Sequence, residues 1–163
     1  MESQAEESFT GAPKSASPLS QNLRSKVSVT DRKRVLIADD HAAMLEEVRE
    51  LLGNCYDIVD SVADGAALVE AAQRLQPDLI ISDISMPVMT GFQAAAAIRR
   101  LGIGCKIIFL TVQSSPAYLK KAHSLGADGY VLKVYTGEQL STAVSRVLSG
   151  QCYISPQLEA EWK

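Results

Sequence analysis

The 163-residue chain is 47% apolar, 21% charged and 6% aromatic, a composition that suits one folded domain with a sizeable core and excludes a disordered or fibrous chain. A net charge of −3 argues against nucleic acid as the main partner of the whole chain. With no long apolar run, no secretory leader pattern, and only Cys55, Cys105 and Cys152 in no CxxC pair, the expectation is no membrane span, no disulfide framework or zinc knuckle, and a cytoplasmic location.

Residues 1–34 hold seven serines, two prolines and few large apolar side chains, with six basic and four acidic residues. Such a segment buries too little surface to offset its ordering entropy, so it reads as a disordered N-terminal arm. Its last basic run, Arg32-Lys33-Arg34, reads as a solvated boundary before a strand. The folded domain is expected over 35–150, and 151–163 as a C-terminal tail. The remainder after the arm carries ten basic and fifteen acidic residues, or −5.

From Val35 onward the pattern is regular. Apolar runs stand at Val35–Ala38, Ile58-Val59, Leu79–Ile81, Ile107–Leu110 and Tyr130–Leu132. Continuous apolar runs without alternation suit strands covered on both faces. Each gap has room for a crossover helix, which parallel strands require. Helical spacing fills the gaps: Leu45, Val48 and Leu52; Leu68, Ala71, Ala72 and Leu75, stopped by Pro77; then Phe92, Ala95 and Ile98. After the fourth run, Ser115 caps a helix with Pro116 at its first position. After the fifth, Thr136 and Gln139 form a capping-box pattern ahead of Leu140, Val144 and Val147. Five strands and five helices in strict alternation predict an α/β fold with helices on both faces of a parallel sheet.

Ligands of such sheets bind at the carboxyl ends of the strands. There the sequence places Asp39-Asp40 after the first strand, Asp83 after the third, Thr111 at the end of the fourth and Lys133 after the fifth. Crowded carboxylates repel one another and favour a hard dication such as Mg²⁺, which takes a few carboxylates plus waters and phosphate oxygens. A lysine supplies a point charge for an anionic oxygen, and a threonine hydroxyl a donor. The set describes a site for a phosphoryl group beside Mg²⁺. Asp83, alone at a central strand end, is the candidate to accept the phosphoryl group covalently, with Asp39 and Asp40 as metal ligands.

Val35-Leu36-Ile37-Ala38-Asp39-Asp40-His41 resembles the first strand and acidic pair of bacterial response-regulator receiver domains. Asp83-Ile84-Ser85-Met86-Pro87-Val88-Met89-Thr90-Gly91 is similar to the family's phosphorylation loop, and Leu110-Thr111 and Gly129–Lys133 to its remaining signatures. The resemblance covers about residues 33–154. It implies a flavodoxin-like three-layer sandwich with strand order 2-1-3-4-5. It also implies that Asp83 takes phosphate from a histidine kinase or phosphotransfer protein. Asp40 would ligate Mg²⁺ directly, Asp39 mostly through water, and Ser85 through its main-chain carbonyl. Thr111 and Lys133 would bind phosphoryl oxygens, and Tyr130 would be a rotamer switch that turns inward on phosphorylation. The downstream protein partner is expected on the surface of the fourth helix, fifth strand and fifth helix, and a phosphorylation-dependent homodimer is a further expectation. Catalysis is expected only of its own phosphoryl transfer and autodephosphorylation. Many receivers carry proline after the lysine, where this chain has Val134.

Gly150-Gln151-Cys152-Tyr153-Ile154-Ser155-Pro156 resembles the end of receivers that precede a LuxR-type helix-turn-helix. Without that output domain in these 163 residues, specific DNA binding is not expected of them. A stand-alone receiver and a piece of a longer regulator both fit this ending. An aspartyl phosphatase, a flavin-binding domain and a receiver with a dead site are the competing readings. The first would want an Asp-x-Asp after strand one, the second a Ser/Thr-rich phosphate loop there, and the intact acidic, hydroxyl and lysine set argues against the third. His41 reads as a solvated loop histidine, His123 as no metal ligand, and Trp162 as loose near a terminus.

Overall fold

The computed structural model describes residues 31–162, so most of the expected N-terminal arm lies outside the described residues. Strands and α-helices alternate as β1 (Arg34–Ala38), α1 (Ala42–Leu52), β2 (Asp57–Val62), α2 (Gly65–Leu75), β3 (Leu79–Ser82), α3 (Gly91–Arg100), β4 (Lys106–Thr111), α4 (Pro116–Ser124), β5 (Gly129–Leu132), α5 (Thr136–Leu148) and β6 (Tyr153–Ile154). Short 3₁₀ turns follow β5 at Lys133–Tyr135 and β6 at Pro156–Glu161. All strand pairs are parallel, in the order β2-β1-β3-β4-β5-β6. That is the flavodoxin-like order expected from the sequence, with one strand added at the β5 edge.

The unbroken apolar runs are explained by two cores. Along β1, Leu36 and Ala38 face one core and Val35 and Ile37 the other. Along β4 the same split puts Ile107 and Phe109 on one side and Ile108 and Leu110 on the other. The first core is closed by Leu68 of α2, Ile98 of α3 and Leu119 of α4, the second by Val48 and Leu52 of α1 and Leu140, Val144 and Val147 of α5. Each fully buried aliphatic side chain contributes about 1.5–3 kcal/mol, more than an exposed ion pair does, so these two layers hold the sheet together.

Two expected boundaries move. The folded unit starts before Val35: the Lys33 carbonyl accepts the Asp57 N–H at 2.9 Å, and the Arg34 N–H donates to Asp78 Oδ2 at 2.8 Å. The Arg34 guanidinium also donates to the carbonyls of Leu75 and Gln76, which the end of α2 leaves without helical partners. At the other end, 151–162 is no tail. Tyr153 and Ile154 pair with Gly129 and Tyr130, and both are buried together with Leu158. Trp162 is not loose: its ring stands edge-on to His123 of α4, centroids 4.7 Å apart. A two-residue strand is too short to leave a periodic signature in sequence, and its partner strand lies more than twenty residues upstream.

Candidate functional site

The site stands where the strand order reverses, between β1 and β3. Asp39 and Asp83 directly follow these neighbouring strands, and their backbones extend the ladder. Asp39 N–H donates to the Val62 carbonyl at 3.0 Å and Asp83 N–H to the Ala38 carbonyl at 2.9 Å. The sheet thereby fixes two carboxylates side by side, 3% and 4% exposed. Lys133, directly after β5, reaches across to both: Nζ is 2.7 Å from Asp39 Oδ2 and 3.0 Å from Asp83 Oδ2. Burial pulls the Lys133 pKa down, but its hydrogen bonds to Asp39 and Asp83 outweigh that and hold the ammonium above the ordinary lysine value. Its ammonium clamps the two buried carboxyl groups together.

Asp40 is exposed at the rim. His41, read from sequence as solvated, has a largely exposed ring, but its Nδ1 lies 3.1 Å from Asp39 Oδ1 and 3.2 Å from Asp40 Oδ1. Its backbone N–H also donates to Asp39 Oδ1 at 2.9 Å. That turn over the Asp39 side chain folds the ring back onto the acidic pair. Ligand atoms of Asp39, Asp40, His41 and Asp83 all fall within 4.8 Å of one another. Three carboxylates against one ammonium fit a hard dication, since the cation deficit is theirs to fill.

The loop after Asp83 is held by its own backbone. Asp83 Oδ1 accepts the Ile84 N–H at 2.7 Å, and the Ile84 carbonyl accepts the Gly91 N–H at 2.7 Å. Gly91 starts α3 pressed against this loop: a Cβ there would stand 2.0 Å from the Asp83 carbonyl oxygen. Between them Met89 N–H donates to the Pro87 carbonyl at 2.7 Å around Val88, whose φ of 71° makes this the strained form of a γ-turn. A capping box closes the loop, with Thr90 Oγ1 accepting the Gln93 N–H at 3.1 Å and Gln93 Oε1 the Thr90 N–H at 2.9 Å. Ser85 is exposed on this loop, two residues beyond Asp83.

Thr111 ends β4, fully buried, and its Oγ1 accepts the Gln113 N–H at 3.2 Å. The Gln113 carbonyl in turn accepts the Tyr130 O–H at 2.7 Å. Tyr130 was expected to turn inward only on phosphorylation; here the ring is already inward and fully buried, filling the first core. Burial pushes its phenol pKa far up, and the Tyr118 and Asp83 charges add to this, so the O–H stays a donor. Gln113, two residues after Thr111, resembles in position the receivers' lifetime-tuning residues, but its main-chain relay to Tyr130 was missed, because an N–H and a carbonyl leave no residue-type signal. Sequence reasoning also missed His41, whose position directly after the acidic pair was the available signal.

The sequence profile described as the response regulator receiver domain matches residues 35–145. The chain belongs to the response regulator receiver family. The chemotaxis protein CheY of Halobacterium salinarum is 35% identical over 117 residues, covering 72% of this chain and 98% of CheY. The transcriptional regulatory protein DesR of Bacillus subtilis is 34% identical over 126 residues, covering 76% of this chain; the receiver spans 62% of DesR's length. A LuxR-family two-component response regulator from Aurantimonas superposes with a TM-score of 0.76 at 28% identity, over 80% of this chain and 94% of that one. The chain is thus similar both to a chemotaxis protein of one receiver's length and to the receivers of LuxR-type regulators. No helix among the described residues is long and apolar enough to cross a membrane.

Proposed function

We propose that this receiver accepts a phosphoryl group on Asp83 from a phosphohistidine of a histidine kinase or phosphotransfer protein. The observation that carries the reading is the Lys133 ammonium shared between Asp39 and Asp83 at a strand-order switch. An Asp83 carboxylate oxygen attacks phosphorus, the P–N bond to the donor imidazole breaks, and the imidazole nitrogen keeps the bonding pair. Asp39, Asp40, Asp83 and the Ser85 main-chain carbonyl would hold Mg²⁺, which when bound supplies positive charge against the phosphoryl oxygens. Lys133 leaves Asp83 Oδ2 for a phosphoryl oxygen, and the Thr111 hydroxyl donates to another. The chain catalyses nothing beyond its own phosphoryl transfer and autodephosphorylation.

The rim suits a protein donor. A groove of about 330 Å³ beside Lys133 is lined by His41, Ala43, Met44, Glu47 and Val112. Val88, Val112 and Val134, on the loops after β3, β4 and β5, are 83%, 69% and 79% exposed. Isolated exposed valines are ordinary, but three on adjoining loops at one sheet end form an apolar rim. Movement of Thr111 toward the phosphoryl group pulls on Gln113 and so on the Tyr130 hydrogen bond, which carries the signal to the α4–β5–α5 surface. Part of that surface is covered, because β6 pairs along the β5 edge and the following 3₁₀ turn packs on α4. A downstream protein, or a second copy of the chain in a phosphorylation-dependent homodimer, would meet this composite face. These 163 residues would act in the cytoplasm through protein contacts rather than by specific DNA binding.

Intact-mass measurement after treatment with acetyl phosphate and Mg²⁺ tests the reading. One phosphoryl adduct is expected on the parent, none on Asp83→Asn, and none on the parent when EDTA removes the metal. An adduct surviving in Asp83→Asn overturns it.

A further inference from the structure

Ser155, directly after β6, touches both ends of the segment carrying Lys133. Ser155 N–H donates to the Tyr130 carbonyl at 2.9 Å, the last rung of the β5–β6 ladder. In a parallel ladder the next rung would run from the Leu132 N–H to the Ser155 carbonyl. The chain cannot supply it, because Pro156 turns it into a 3₁₀ helix. The Ser155 hydroxyl takes over: Oγ accepts the Leu132 N–H at 3.0 Å. The same hydroxyl donates its proton to Gln139 Oε1 at 2.6 Å, and Gln139 Nε2 donates on to Gln157 Oε1 at 3.2 Å. Ser155 is fully buried, so no water can replace either bond at the surface.

Leu132 precedes Lys133, and Gln139 lies in the first turn of α5. One hydroxyl therefore fixes the start and the end of the intervening stretch. Inside it, Thr136 Oγ1 donates to the Lys133 carbonyl at 2.7 Å. From this stapled backbone the Lys133 side chain reaches Asp39 and Asp83. We infer that Ser155 is a positioning residue for Lys133, and that it ties the C-terminal segment 153–162 to the phosphoryl site. The inference rests on the phosphoryl-acceptor reading for its ligand, but its geometry stands without it.

Two consequences follow from the linkage. A shift of Lys133 toward a phosphoryl oxygen pulls on Leu132 and Gln139, and hence on Ser155. By reciprocity, whatever displaces 153–162 alters the affinity of the site for phosphoryl groups. The C-terminal segment is then an output element, reading the lysine end of the site directly, in parallel with the route through Thr111, Gln113 and Tyr130.

The test uses the full chain as parent, Ser155→Ala, Ser155→Thr to restore the hydroxyl, and Gln139→Met to cut one arm only, each first checked for a cooperative thermal melt. Beryllofluoride with Mg²⁺ is the phosphoryl probe. Ser155→Ala should bind it about tenfold more weakly, the effect of one lost hydrogen bond, with Gln139→Met affected less and Ser155→Thr close to the parent. In the parent, the amide NMR signals of Leu132 and residues 153–158 should shift on adding the probe. A second arm needs no ligand: acetylation of lysines read by mass spectrometry should label Lys133 several-fold faster in Ser155→Ala, with exposed Lys120 and Lys121 unchanged. Should Ser155→Ala not fold, Gln139→Met carries both arms. Parent-like beryllofluoride affinity and Lys133 labelling in folded variants would overturn the inference. A parent that ignores beryllofluoride, while Ser155→Ala still exposes Lys133, would instead sink the phosphoryl-acceptor reading and leave the staple standing.

Discussion

The loops after β3 and β5 each open on a charged residue of the site, Asp83 and Lys133, and each closes on the same pattern, Thr-Gly-x-Gln: Thr90–Gln93 in one, Thr136–Gln139 in the other. Yet the two are held differently. Thr90 and Gln93 close on each other as a capping box. Thr136 turns back to the Lys133 carbonyl, the N-cap of α5 falls on Tyr135, and Gln139 reaches out to Ser155 and Gln157. The expected box at Thr136 thus does not form, because a buried serine hydroxyl competes for the glutamine side chain. A cap arm at the surface is worth about 1 kcal/mol, whereas a buried hydroxyl left unbonded costs about 1–3 kcal/mol. The nucleophile's loop is set by local sequence, and the lysine's loop by a segment sixteen residues beyond its own glutamine.

The charged ends of the loops give the largest expected effect. Lys133→Met removes the ammonium that bridges Asp39 and Asp83, and should slow phosphorylation by acetyl phosphate on the order of a hundredfold, read as the rate of adduct formation. Its stability effect depends on pH. The folded-state pKa of Lys133 lies above its unfolded value, so its contribution is fully present below about pH 10.5 and is lost as pH rises through the raised value. The gap in unfolding free energy between parent and Lys133→Met should therefore shrink only at more alkaline pH.

The matching glycines separate the two loops next. Gly91→Ala would drive a Cβ to 2.0 Å from the Asp83 carbonyl oxygen, and should cost about 3 kcal/mol in urea unfolding, with loss of phosphorylation. Thr90→Ala removes one arm of the box and should cost about 1 kcal/mol without changing Lys133 acetylation. The smallest effect has the opposite sign. A Cβ on Gly137 meets nothing within 4 Å, so Gly137→Ala should stabilise α5 by about 0.5–1 kcal/mol. Equal costs at Gly91 and Gly137 would erase the distinction between a loop packed on itself and one held from outside.

What the sequence disclosed follows the same division. Both cores and the positions of Asp39, Asp40, Asp83, Thr111 and Lys133 were legible, because strand ends and apolar runs are local signals; the strand order came from the resemblance to receivers. Less legible were contacts made by main chain or over long range. The Gln113 relay uses an N–H and a carbonyl that any residue owns. β6 is two residues long, and Ser155 directly after it acts on partners far upstream, Leu132 and Gln139. His41 looked solvated because a lone loop histidine usually is; its ring is indeed largely exposed, yet its Nδ1 is turned to the acidic pair. Tyr130 was read, from the resemblance, as a switch that turns inward on phosphorylation; the Gln113 carbonyl, which holds its hydroxyl inward here, left no signal.

The central claim is that a phosphoryl group is carried by the Asp83 carboxylate. Borohydride reduces an aspartyl phosphate to homoserine, which leaves a permanent mass mark at the acceptor position. After acetyl phosphate, Mg²⁺ and borohydride, tandem mass spectrometry should find homoserine at position 83 alone, with Asp39 and Asp40 intact. A mark at Asp39 or Asp40, or an adduct that leaves no homoserine at any aspartate, would contradict the account.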